Sequence, residues 1–90
     1  MPKFVVERRL PGAGELTASE LHAIWARSNR VVAELQGRAH WLQTYVTSDT
    51  LYCIFVATDA EVIREHAELG GFPVDRISEV RTVADPVNGE

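Results

Sequence analysis

The chain contains a single cysteine, Cys53, among its 90 residues. A lone thiol can form neither an internal disulfide nor a multi-cysteine metal cage, which excludes a disulfide-stapled scaffold and a zinc ribbon. Basic charge is also scarce. The net charge of −4 at pH 7 leaves no electrostatic footprint for nucleic acid or an anionic lipid surface. No apolar run approaches the roughly 20 residues that span a bilayer. Met1 to Val5 lead directly into Glu7, Arg8 and Arg9, so no secretory signal is expected and a cytoplasmic location is. The histidines, His22, His40 and His66, show no H-x-x-x-H or H-E-x-x-H spacing. Gly12 and Gly14 are an isolated loop pair without phosphate-loop context, and no Ser-His-Asp order can be picked out.

What remains is an ordinary globular composition, 46% hydrophobic and 24% charged, with no linker or repeat dividing it. Residues 1–90 therefore read as one domain, near the lower size limit for a self-sufficient core. Lys3 to Arg9, with Phe4, Val5 and Val6, reads as a strand, followed by the turn-rich Leu10-Pro11-Gly12-Ala13-Gly14. Thr17 and Glu20 have capping-box spacing. Leu21, Ile24, Trp25, Ser28, Val31, Val32 and Leu35 then recur every three or four residues, which predicts a helix closed at Gly37. His40–Val46 and Leu51–Val56 read as a hairpin across Ser48-Asp49. Thr58 and Glu61 suggest a second capping box, with a helix to about Leu69 closed at Gly70 or Gly71. Arg76 to Val83 reads as the last strand.

The order βαββαβ predicts an α+β, ferredoxin-like domain: a four-stranded antiparallel sheet with both helices on one face. Strict alternation along the hairpin puts Leu42, Thr44, Val46, Leu51, Cys53, Phe55 and Ala57 under the helices. It leaves Trp41, Gln43, Tyr45, Tyr52, Ile54 and Val56 on the open face. On the first strand Phe4 and Val6 join the core, while Val5, Glu7 and Arg9 face out. So apolar an open face calls for cover, and each large side chain buried is worth roughly 1.5–3 kcal/mol. The expectation is a homodimer, sheet against sheet, closing a barrel-like shell. Such a shell would hold a small ligand in a pocket lined by Trp41, Gln43, Tyr45, Tyr52 and Ile54.

The segment Glu65-His66-Ala67-Glu68-Leu69-Gly70-Gly71-Phe72-Pro73 seats a histidine one turn before a helix stop. Val62, Ile63 and His66 share a helix face, placing His66 at the buried edge as a core histidine, a metal ligand or a general base. Glu7, in mid-strand beside Arg8 and Arg9, is the best acid or metal-ligand candidate of the open face, the alternative being an ion pair. Tyr45 and Tyr52 form a cross-strand pair whose usual role is packing. His22 reads as solvated, His40 as a strand-boundary residue and Cys53 as an inert core thiol.

Phe4-Val5-Val6-Glu7-Arg8, Trp41 to Thr47, Leu51 to Ala57, Glu65-His66-Ala67 with Gly71-Phe72-Pro73, and Asp85-Pro86 together resemble a family of small bacterial proteins of unassigned function. The resemblance spans nearly the whole chain. It implies a ferredoxin-like fold and a dimer, and the family includes a nickel-binding protein. Glu7, Tyr45, Tyr52 and His66 match its pattern, whereas Gln43 stands where the family pattern has a histidine. The first expectation is thus a dimeric binding protein that holds a divalent metal, nickel by resemblance, at a sheet-face pocket, with Glu7 and His66 as ligands. The alternatives are a cofactor-independent enzyme, monooxygenase- or isomerase-like, using the same pocket, and a structural or stress protein without pocket chemistry.

Overall fold

The computed structural model describes residues 1–90. Its elements are β1 (Lys3–Arg9), α1 (Ala18–Glu34), β2 (Ala39–Val46), β3 (Thr50–Ala57), α2 (Ala60–Gly70) and β4 (Arg76–Glu79), with short 3-10 turns at Ala13–Glu15 and Pro86–Gly89. The strands form one antiparallel sheet in the order β2-β3-β1-β4, and the helices lie on one of its faces: a ferredoxin-like α+β fold. The molecule measures 42 × 31 × 20 Å, and the short dimension is one sheet plus one helix layer. No helix is long and apolar enough to cross a membrane.

Local chemistry explains most of the element ends. Thr17 caps α1 through a full capping box: Glu20 N–H donates to Thr17 Oγ1 at 3.1 Å, and Thr17 N–H donates to Glu20 Oε1 at 2.9 Å. The helix stops at Glu34, ahead of the expected Gly37, because Gln36 already takes a left-handed φ of 52°. The second helix departs from expectation at its start. Its N-cap is Asp59, not Thr58, and the Asp59 carboxylate accepts from Val62 N–H at 3.1 Å; either residue type can cap. Gly71 ends it at a φ of 68°, a conformation open to glycine. The expected last strand to Val83 is cut to Arg76–Glu79, because β1 supplies no pairing partner beyond Lys3, whose carbonyl accepts from Val80 N–H.

The hairpin corrects the strict alternation. Its turn is Ser48-Asp49 as expected, and Val46, Tyr45, Thr44 and Gln43 pair with Leu51, Tyr52, Cys53 and Ile54. Between Gln43 and Trp41 the register slips by one: Trp41 faces Phe55, and Leu42 is the extra residue of a β-bulge. Trp41 and Leu42 therefore exchange the environments expected of them. Trp41 turns to the helix side and packs on Trp25 with ring centroids 5.5 Å apart, while Leu42 is exposed.

The core lies between helices and sheet: Phe4, Val6, Leu51, Cys53, Phe55 and Ala57 from the strands meet Leu35, Val62 and Ile63. On the other face no helix covers β1 or β3. There Val5, Ile54 and Val56 are only half-buried, and Tyr45 is 57% exposed.

Candidate functional site

The same alternation that sends Phe4 and Val6 inward also sends Arg8 inward. Arg8 is 3% exposed. Its Nη1 donates to the Pro73 carbonyl at 2.8 Å, while its Nη2 is buried without a hydrogen-bond partner. None of the chain's ion pairs involves it. A guanidinium keeps its charge inside a protein, so a positive charge sits under the helices with no carboxylate beside it.

His66 comes to the same place from α2. Val62, Ile63, His66 and Ala67 form the buried face of that helix, and His66 is 1% exposed. Its ring is held on both sides, edge-on to Phe55 at 5.0 Å and stacked on Phe72 at 5.2 Å. Its Nε2 lies 3.1 Å from Ser28 Oγ on α1, whereas Nδ1 is buried without a partner. Burial, and then the positive charge of Arg8, push its pKa down to about 4, with Ser28 offsetting part of the shift. The imidazole is therefore neutral at neutral pH.

Phe72 links the two groups. The Arg8 guanidinium lies 5.5 Å from its ring centre, and Arg27 caps the ring at 4.6 Å. A Cβ on Gly70 would collide with this ring, so glycine there lets Phe72 fold back over the end of α2. Arg8, Ser28, His66 and Phe72, with Ile24, Trp25, Trp41, Thr44, Leu51, Cys53 and Phe55, line one pocket. The centres of water-sized groups can occupy about 20 Å³ of it. On its far wall Trp41 Nε1 donates to Thr44 Oγ1 at 2.9 Å, and Thr44 Oγ1 donates to Cys53 Sγ at 3.2 Å. That leaves Arg8 and His66 as the two groups with unmet hydrogen-bonding capacity.

The other candidates of the sequence lie across the sheet. Glu7 pairs with Tyr52 in register, Tyr52 with Tyr45, and Ile54 with Gln43. Glu7 faces Arg76 at 4.0 Å, and Gln43 Nε2 donates to the Tyr45 hydroxyl. The structure thus brings Gln43, Tyr45, Tyr52, Ile54 and Glu7 together on the open face, and puts Trp41 and His66 on the helix side. Within one chain the sheet separates Glu7 from His66. No three His, Cys, Asp or Glu side chains come together closely enough to hold a metal ion. His40, opposite Val56, belongs to the open face; His22 is exposed on α1.

Arg8 and Ser28 were the residues missed. Alternation extended by one more pair reaches Arg8, and a serine inside an otherwise apolar helical stripe was itself the signal for a buried polar partner.

Residues 4–80 match the description "Nickel responsive protein SCO4226-like". The chain belongs to that family. The crystal structure of SCO4226 from Streptomyces coelicolor A3(2) superposes with a TM-score of 0.77 at 26% identity, covering 91% of this chain and 99% of that one. No curated protein matches. The SCO4226-like family carries nickel in its description, and the donor set can be tested against that ion. Imidazole and carboxylate suit it, but His66 stands beside a guanidinium that repels a cation. Its pocket offers one other usual donor, Cys53. Within one chain no three of these donors converge.

Proposed function

We propose that this SCO4226-like chain is a metal-responsive binding protein that works as a homodimer, the two open sheet faces meeting. Its nickel would be held by donors drawn from both copies. The observation that carries the reading is the composition of the open face. Val5, Ile54 and Val56 form a half-buried apolar strip, and the donors Glu7, Gln43, Tyr45, Tyr52 and His40 stand on the same face. No three His, Cys, Asp or Glu side chains converge within one chain, and a two-fold axis brings a second copy of each donor. Glu7 and His40 are the carboxylate and imidazole of this face. His66 is left out of the set, being on the other side of the sheet and next to Arg8. Nickel itself rests on the family relationship.

The experiment pairs sedimentation with calorimetry on chelator-stripped protein. At micromolar concentration the chain should sediment at twice its 10.0 kDa mass and take up nickel at a stoichiometry set by the dimer. Ile54→Asp should give a folded monomer that no longer binds it, and Glu7→Gln or His40→Ala should weaken binding in the dimer. A wild-type monomer, or nickel uptake unchanged in Ile54→Asp, would sink the reading.

A further inference from the structure

We propose that residues 81–84 of each copy add as an extra strand to the outer edge of β2 in a second copy, an inference that rests on the sheet-against-sheet dimer above. Its starting point is a strand that the sequence calls for and one chain does not complete. Arg76 to Val83 is rich in β-branched residues and reads as one strand, yet β4 ends at Glu79. The Val80 N–H still donates to the Lys3 carbonyl, and β1 begins there. Arg81, Thr82, Val83 and Ala84 are all exposed and make no backbone hydrogen bond. Val83 is 74% exposed, and Val87 in the turn that follows is exposed as well.

The other half of the pair is β2. Its sole neighbour in the sheet is β3, so its outer N–H and C=O groups have no strand beside them. Natural edges are guarded by charge, proline or a bulge. The β2 sequence from Ala39 to Val46 contains no proline and no Lys, Arg, Asp or Glu, and its bulge sits at Leu42. Gln43, Thr44, Tyr45 and Val46 lie beyond the bulge in regular register with β3. They form an unguarded edge equal in length to residues 81–84.

Geometry selects a second copy as the partner. Within one chain β2 and β4 are the opposite edges of the sheet, about 14 Å apart across β3 and β1. A two-fold axis running along the strands reverses the sheet order in the facing copy, so β4 of one stands over β2 of the other. Sheets packed face to face lie about 10 Å apart and cross at about 30°, which brings diagonal corners together. The segment after β4 leaves from such a corner. Strand addition there meets the free backbone groups of both edges and closes the sandwich into a barrel-like shell.

Three measurements test the strand addition separately from dimerisation itself. In the wild-type dimer at least one amide of Thr82, Val83 and Ala84 should exchange about a hundredfold more slowly than in an unstructured peptide. Thr82→Pro or Val83→Pro, whichever removes the pairing N–H, should weaken the dimer at least about tenfold by sedimentation, since each dimer loses the bond twice. Both side chains are exposed, so each copy should keep its fold. A nitroxide on Glu90→Cys, with the buried Cys53 left unlabelled, is mixed with ¹⁵N-labelled wild type. It should broaden the amides of Gln43 to Val46 in the labelled copies. A wild-type dimer whose residues 82–84 all exchange freely, or whose strength neither proline changes, overturns the strand addition and leaves the dimer standing. Broadening that spares β2 does the same. A wild-type monomer overturns both.

Discussion

Ile54 and Phe55 are neighbours in β3, yet they belong to two different kinds of protein surface. Phe55 is 1% exposed and joins the core under the helices, while Ile54 is half-buried on the face that no helix covers. On the helix side the central apolar side chains are buried and two polar atoms are short of partners, on Arg8 and His66. On the open side the case is reversed: Glu7, Gln43 and Tyr45 have partners in hydrogen bonds or an ion pair, and the apolar side chains are short of cover. The two faces thus carry opposite deficits, of polar partners on one and of apolar cover on the other.

The sharpest way to break this comparison is to truncate the two neighbours in turn. Phe55→Ala should cost about 3–5 kcal/mol through lost burial and the cavity left behind, at every protein concentration. Ile54→Ala should cost far less in dilute solution, and its effect should grow as the protein is concentrated, because the contact it weakens is with a second copy. Urea unfolding at two concentrations a hundredfold apart reads both. A concentration-independent loss at Ile54 equal to that at Phe55 would mean that the open face is no interface.

Acidification tests the helix side alone. His66 has a folded pKa of about 4 against an ordinary 6.5, so the unfolded chain takes up this proton first. Above 6.5 the ring is neutral in both states and carries no penalty. As the pH falls from 6.5 to 4 the unfolded state binds more protons and stability is lost. At about 1.4 kcal/mol per unit, the loss reaches roughly 3 kcal/mol. Glu65, whose pKa Arg38 holds below the usual 4.5, and Glu20, held below it by Thr17, begin to give up their contributions only below about pH 4.5. Stability measured from pH 7 to pH 4.5 should fall more steeply in the wild type than in His66→Gln. Equal slopes would show that the ring is not held neutral by its surroundings.

The sequence made these two faces partly legible, and the reason for each failure is local. Element order, the hairpin turn and the α1 cap followed from patterns confined to a few residues, such as Thr17 with Glu20 and Ser48-Asp49, and the structure has them. Trp41 was misplaced because a bulge is silent in an apolar pair. Trp41-Leu42 looks the same whichever residue points inward, and one extra residue reverses the assignment on the side of it away from the turn. The separation of Glu7 from His66 depends on which face α2 covers relative to the odd residues of β1. That tertiary fact leaves no mark in the spacing of either residue. Arg8 was readable by alternation, but a charged residue under two helices contradicts composition rules and is found only by trusting the register.

The smallest test deletes one hydroxyl from each face. Ser28→Ala removes the partner of the buried His66 Nε2, leaving both ring nitrogens unsatisfied. An unmet buried group costs about 1–3 kcal/mol. Tyr45→Phe removes the hydroxyl that Gln43 donates to, on a side chain 57% exposed. Solvent replaces that bond at once, and the change should stay within about 0.5 kcal/mol in dilute protein. The comparison turns on what happens as the concentration rises. If a second copy seals the open face, Tyr45 becomes a buried hydroxyl and the cost of Tyr45→Phe should climb toward that of Ser28→Ala. If the two costs stay apart in concentrated protein, water keeps the open face, and Glu7 and His40 would have no second copy to share an ion with.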